Sequence, residues 1–265
     1  MKNLLLICLL LTACQGNTSE AEIARLTNYT THYELVNVDP KLANIEGRIY
    51  DSFVQGIMTK ETKQMEAIGE QLAELYQERQ HKLIQYWRSY LQYYTAIYHM
   101  QAGDAKQSEK ACDQGIAWMK ALSDKNAEDY ALLAMLQGFG IQFKGMRAMF
   151  ISGTIKKNLK KARALDAENL RVQFVSGSND YYTPAKYGGG KEAEKYLLKA
   201  ISLPAQRNPN EMLPSWGMQE AYEMLIKLYI KAERWDEAKT YFNKGTEACP
   251  NSYMIHQLAA KLVGK

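Results

Sequence analysis

"AYEMLIKLYIKAERWDEAKTYFNKGTEACP", residues Ala221 to Pro250, decides how this chain folds. Its large residues Tyr222, Leu225 and Tyr229 recur at the helical period, which places them on one face of a first helix. A second helix follows with the small residues Ala238 and Gly245 and the large Phe242. Large side chains on one arm nest over small ones on the other, so the two helices can pack closely. Pro250 ends the second arm because it cannot donate the next backbone hydrogen bond.

This spacing matches the tetratricopeptide pattern, which asks for Trp, Leu, Gly and Tyr, then Ala, Phe and Pro, within about 34 residues. Leu225, Tyr229, Ala238, Phe242 and Pro250 match; Tyr222 replaces the Trp, and only Ile226 departs outright, where Gly is usual. Reading backwards, "KARALDAEN" (Lys161–Asn169) resembles the end of another unit, with Ala167 where Pro is normal. The next unit starts near Leu170, with Gly177 at the first-helix glycine position. Its second-helix signature Ala193, Leu197 and Ala200 arrives about four residues late. A third, degenerate pair runs from Trp87 to Leu122, turning at Gly103-Asp104, with Ala96, Ser108 and Gly115 at its small positions.

The extra residues of the second unit fall in "TPAKYGGG" (Thr183–Gly190), which raises the question of a phosphate loop. A P-loop needs Gly-x-x-x-x-Gly-Lys-Ser/Thr. Here Ala185 takes the first Gly position and Glu192 the hydroxyl position. "GGGKEA" satisfies Gly-x-Gly-x-x-Ala, but that fingerprint requires a preceding strand, and this turn follows Pro184 and a helical pattern. The glycines are therefore expected in an enlarged turn, with a carboxylate docking near Gly189 still open.

Other segments are helical without clear repeat signatures. Leu42, Ile45, Ile49, Phe53 and Ile57 share one period, as do Met65, Ile68, Leu72 and Leu75. Between Asp129 and Phe150 apolar residues lie on every side, which predicts a buried helix whose glycines permit close approach. Met254, Leu258 and Leu262 predict a terminal capping helix. The fold class expected is all-α: a tetratricopeptide-like α-solenoid, a right-handed superhelix of helix pairs with about eleven helices. The domain is 41–265, and its clearest repeats are 170–203 and 219–252.

"NLRVQFVSGSNDYYTPAKYGGGKEAEKYLLKA" with "LPSWGMQEAYEML" resembles a group of tetratricopeptide-repeat lipoproteins of Gram-negative bacteria. The shared features are an Asn-x-Arg helix start, a Tyr-x-Pro turn, an aromatic-Gly-Gly-Gly and a Pro-x-Trp-Gly before the last repeat. The resemblance covers roughly Asp129 to Pro250 and implies architecture more than function.

The beginning of the chain fits that group. "MKNLLLICLLLTAC" has a positive start and an apolar run from Leu4 to Leu11. That is too short to span a bilayer, which takes roughly 20 residues, and long enough for a signal peptide. Leu11-Thr12-Ala13-Cys14 resembles a lipobox, which implies removal of 1–13 and acylation (palmitate among the chains) of Cys14. Residues 14–40 then read as a lipidated N-terminus and linker, whose polar stretch Gln15–Thr31 is either plain linker or a short export signal to the cell surface. Gln15, where an Asp would signal inner-membrane retention, favours the outer membrane, on its periplasmic or surface face. Cys112 and Cys249 are expected as two buried free thiols. His32, His81, His99 and His256 are isolated, without metal-ligand spacing. No cofactor is expected. The net charge of +4 is mild and argues against nucleic acid as a partner.

Without a nucleophile–base pair, paired carboxylates or a metal cluster, the sequence points to a non-catalytic, lipid-anchored scaffold for a protein or peptide partner at the cell envelope. First helices line the concave side of such repeats, so the pattern projects partner-binding positions. Tyr90 and Tyr93 come from an aromatic row that includes Tyr86, Trp87, Tyr94 and Tyr98. Arg171, Phe174, Ser178 and Tyr181 come from one repeat; Glu220, Glu223 and Lys227 come from the last. The loop "LPAQRNPNEMLPSWG" could serve as a binding lip, with Trp216 packing at the start of the last repeat. "IKKNLKKAR" carries Lys156, Lys157, Lys160, Lys161 and Arg163 outward, over Ile155, Leu159 and Ala162 inward. The alternative function is a small-ligand carrier with an apolar cavity lined by Met135, Phe139, Phe143 and Met146.

Overall fold

The computed structural model describes residues 39–203 and 210–265; Cys14, the leader and His32 lie outside them, as do 204–209 of the long loop. Every regular element among the described residues is helical. Five helix pairs follow one another: α1 (Ile45–Thr59) with α2 (Lys63–Arg79), α3 (Lys82–Gln101) with α4 (Ala105–Ala121), α5 (Ala127–Gly140) with α6 (Ala148–Leu165), α7 (Leu170–Tyr182) with α8 (Ala193–Ser202), and α9 (Met218–Lys231) with α10 (Trp235–Ala248). Two one-turn helices, α11 (Tyr253–His256) and α12 (Ala259–Leu262), close the chain. Within each of these pairs the two helices pack on one another, and α5, α7 and α9 also meet in sequence. This is the expected α-solenoid.

The small positions explain the close pairing. A Cβ on Gly177 would lie 2.8 Å from Leu197 Cγ, so α7 and α8 approach to a distance only glycine permits. Gly245 lies under the Tyr222 ring in the last pair, and Ala193 and Ala238 are both buried. In α3–α4, Ala96 and Ser108 are buried, and the Ser108 hydroxyl donates to the Ala96 carbonyl at 2.7 Å. Ile226, at the usual glycine position, is buried against Ile255 and Leu258 of the terminal turns.

Helix starts follow the capping rules. Asn126 and Asp129 form a reciprocal capping box at α5. Asn169 caps α7, and Ser252 caps α11. Ile45, Ile49 and Phe53 of α1 and Met65, Ile68, Leu72 and Leu75 of α2 are buried as the periodicity requires; Ile57 is half-buried, with Gly56 taking the inner position.

Three expectations are corrected. The apolar segment 129–150 is not one helix: α5 stops at Gly140, and 3-10 turns at Ile141–Phe143 and Gly145–Arg147 lead into α6. Of its glycines only Gly140 serves close approach, to Cys112 Sγ; Gly138 faces open space and Gly145 has φ +48°. The terminal cap is two short helices rather than one, and Ile255, not Met254, joins Leu258 and Leu262 in the core. Cys112 is buried, with burial pushing its thiol up to about 12, but Cys249 is only half-buried.

Candidate functional site

The Gly-rich turn is not a phosphate cradle. The amides of Glu192 and Ala193, at the start of α8, both donate to the Asp180 carboxylate at 2.8 Å. The amide of Gly190 donates to the Asp180 carbonyl at 2.9 Å. The anion that a helix N-terminus attracts is thus supplied by the chain itself, and the element before the turn is the helix α7 rather than a strand. Gly188 and Gly190 adopt positive φ, and a Cβ on Gly189 would fall 2.0 Å from the Thr183 carbonyl oxygen.

The inner face of the first helices divides into a filled half and an open half. In the filled half, Met212–Gly217 runs as a non-helical strap across α1, α3 and α7, held by side chains that satisfy its peptide groups. The Trp87 indole donates to the Met212 carbonyl at 2.8 Å. Glu46 of α1 accepts from the Ser215 amide at 2.6 Å, the Ser215 hydroxyl at 2.8 Å and the Trp216 amide at 3.0 Å. Arg171 donates from Nη1 to the Trp216 carbonyl at 3.1 Å.

Trp216 itself is the plug. Its ring stacks on Tyr90 at 5.6 Å and meets Phe174 edge-on at 6.2 Å, while its indole N–H donates to the Tyr86 hydroxyl at 2.8 Å. Arg171 is 1 % exposed and forks onto Glu128 of α5, through Nε and, at 2.5 Å, through Nη2; Asn169 also donates to Glu128 at 2.5 Å. The Tyr90 hydroxyl donates to that of Tyr94, which donates to Glu220 at 3.2 Å, and Glu220 accepts the Gly217 amide at 2.8 Å to cap α9.

These contacts correct the projected concave surface. Tyr90, Arg171 and Phe174 are buried and pack the strap rather than face a partner. Glu220 is half-buried and engaged in capping. Trp216 inserts between α3 and α7. In the described end of the long loop Leu213, Pro214, Trp216 and Gly217 are buried, with Glu211 and Ser215 exposed, so it packs inward rather than standing out as a lip. The signal that could have revealed this is the pairing of a lone buried-type Arg with an upstream Glu, but sequence gives no register for contacts so far apart.

The open half holds Tyr93, Ser178, Tyr181, Glu223 and Lys227, all half-buried, and Tyr182, which is 66 % exposed. Tyr93 meets Phe139 at 5.8 Å, Tyr181 meets Tyr182 at 4.9 Å, and the Lys231 ammonium lies 5.0 Å from the Tyr181 ring centre. Lys227 and Glu223 pair along α9. Burial raises the Glu223 carboxyl above its ordinary range, with Lys227 opposing. Burial works against the Lys227 ammonium, but Glu223 outweighs it and raises its pKa. Burial, with Glu220, Tyr182 and Glu223 nearby, raises the Tyr93 phenol. The result is an aromatic, mixed-charge surface on α3, α7 and α9.

Met135, Phe139, Phe143 and Met146 do not enclose a cavity: Met135 is in the core while Met146 is 96 % exposed. Among the described residues no His, Cys, Asp and Glu cluster could hold a metal ion, and no helix is long and apolar enough to cross a membrane.

Comparison with solved structures finds a thermophilic tetratricopeptide-repeat protein from Thermus thermophilus, with a TM-score of 0.52 and 16 % identity, over 81 % of this chain and 98 % of that one. That likeness supports the fold. No family model and no curated protein matches the chain.

Proposed function

We propose that this protein is a non-catalytic, lipid-anchored scaffold that holds a protein or peptide partner at the bacterial cell envelope, through the open half of its first-helix face. The observation that carries this reading is the convergence of Tyr93, Tyr181, Tyr182, Glu223 and Lys227 from three separate helices, beside a half already filled by the Met212–Gly217 strap. Tyrosines offer large contact area at low entropy cost, and the Glu–Lys pair offers both signs of charge to an extended or helical segment. The lipobox-like Leu11–Cys14 supports tethering through Cys14, and Gln15 supports the outer membrane.

A photoreactive residue at Tyr182, activated in intact cells, should capture one defined protein, while the same residue at the buried Tyr90 captures none. Equal capture at both positions, or at neither, overturns the assignment of this face. Labelled palmitate fed to cells should appear on the wild type and not on Cys14→Ala; a wild type that takes up no label overturns the anchor.

A further inference from the structure

The hairpin tip between α5 and α6 carries a feature that the scaffold reading does not use. Met146, Met149 and Phe150 are 96 %, 75 % and 77 % exposed, three large apolar side chains within five residues. They begin a stripe that continues along α6. Met149, Gly153, Lys156 and Lys160 stand at i, i+4, i+7 and i+11, one line on a helix with 3.6 residues per turn. Phe150, Lys157 and Lys161 lie on the adjacent line. All are exposed, while Ile155, Asn158, Leu159 and Ala162 on the opposite side are buried.

The charge on this element is of one sign. The α6 sequence AMFISGTIKKNLKKARAL contains no Asp or Glu. Among the described residues Lys156, Lys157 and Lys160 have no acidic partner, nor does the exposed Arg147 at the tip. Lysine stems can lie along an apolar boundary while their ammonium groups reach anionic groups. An exposed apolar end continuous with a lysine row is the pattern of an element that lies in the interface of an anionic bilayer. An acidic protein would satisfy the lysines but would leave Met146, Met149 and Phe150 without a reason to project.

We infer that the α5–α6 tip and the outer face of α6 form a membrane-surface site: Met146, Met149 and Phe150 enter the headgroup boundary, and Lys156, Lys157 and Lys160 contact anionic lipid headgroups. This inference does not require acylation of Cys14. It gives the domain a second contact with a bilayer, and so a fixed orientation, wherever the N-terminus is held.

The test uses the full chain carrying Cys8→Ser, Cys14→Ser, Cys249→Ser and Met149→Cys, with Cys112 buried, labelled at position 149 with an environment-sensitive fluorophore. Vesicles of phosphatidylcholine and phosphatidylglycerol at 7:3 are added. Emission should shift to the blue and be quenched by brominated acyl chains, and the shift should shrink several-fold with pure phosphatidylcholine. Lys156→Gln, Lys157→Gln and Lys160→Gln together should abolish it without changing the helical circular dichroism. The same label at Glu247→Cys on α10 should not respond. The readout is local, so it reports on the tip whether or not the N-terminus binds lipid. A water-like emission at 149 in anionic vesicles overturns the inference. So does a lipid-independent shift that grows with protein concentration, which would assign the tip to contact with a second copy. A response only to an added polyglutamate peptide also overturns it, and would assign the tip to an acidic protein.

Discussion

Arg171→Met is the perturbation that separates the two readings of this residue. On a concave partner face its loss would weaken binding and leave stability nearly unchanged. The structure gives a different expectation. Arg171 is 1 % exposed, donates twice to Glu128 and once to the Trp216 carbonyl, and lies 6.0 Å from the Trp216 ring centre. Met would fill much of the volume but leave Glu128 buried with Asn169 as its remaining side-chain donor. Breaking a buried ion pair from one side costs about 3–5 kcal/mol. For a domain of this size each kcal/mol lowers the midpoint by roughly 2–4 °C, so thermal unfolding should fall by roughly 6–20 °C. The companion Glu128→Leu/Arg171→Met should recover a large part of the loss, because replacing both charges removes the unpaired carboxylate. Urea unfolding of the wild type, Arg171→Met, Glu128→Leu and the double variant gives the coupling directly. A single variant within about 0.5 kcal/mol of wild type, the range usual for surface changes, would refute the buried-clamp description and return Arg171 to the surface.

Two further perturbations test the strap and the glycine turn. Burial raises Glu46 from 4.5 to about 7, against the lowering effect of its Ser215 hydrogen bonds. Between those values the folded protein binds more protons than the unfolded chain, so stability should fall as pH rises from about 4.5 to 7. Glu46 keeps some solvent contact, so the contribution is about 1–3 kcal/mol, and Glu46→Gln should flatten that part of the profile measured by urea unfolding. Gly189→Ala places a methyl against the fixed Thr183 carbonyl and should cost about 1–3 kcal/mol, while ATP leaves the wild-type melting temperature unchanged; an ATP-induced rise would revive the phosphate reading.

The tip of α6 and the strap show how far local pattern reaches. Tyr222 over Gly245 and Gly177 against Leu197 are readable because each pair lies within one hairpin, where spacing alone brings the partners together. The long-loop residues Met212–Gly217 read as an exposed lip for the opposite reason: the groups that bury them, Glu46, Tyr86 and Trp87, come from the other end of the chain. Exposure of Met146 and Phe150 is hidden as well, since a segment apolar on every side reads as core until Gly145 is seen to turn it outward.

By itself the sequence determined most of the helices, the pairing of three hairpins and the chemistry of their faces, because these follow from 3.6-residue periodicity and from contacts between near neighbours. Only the tertiary structure decided which part of the first-helix face is open and which is closed by the chain's own Trp216. Periodicity can say that a face is apolar or aromatic; what covers that face depends on a segment folded back from a distant position, and no local spacing encodes it.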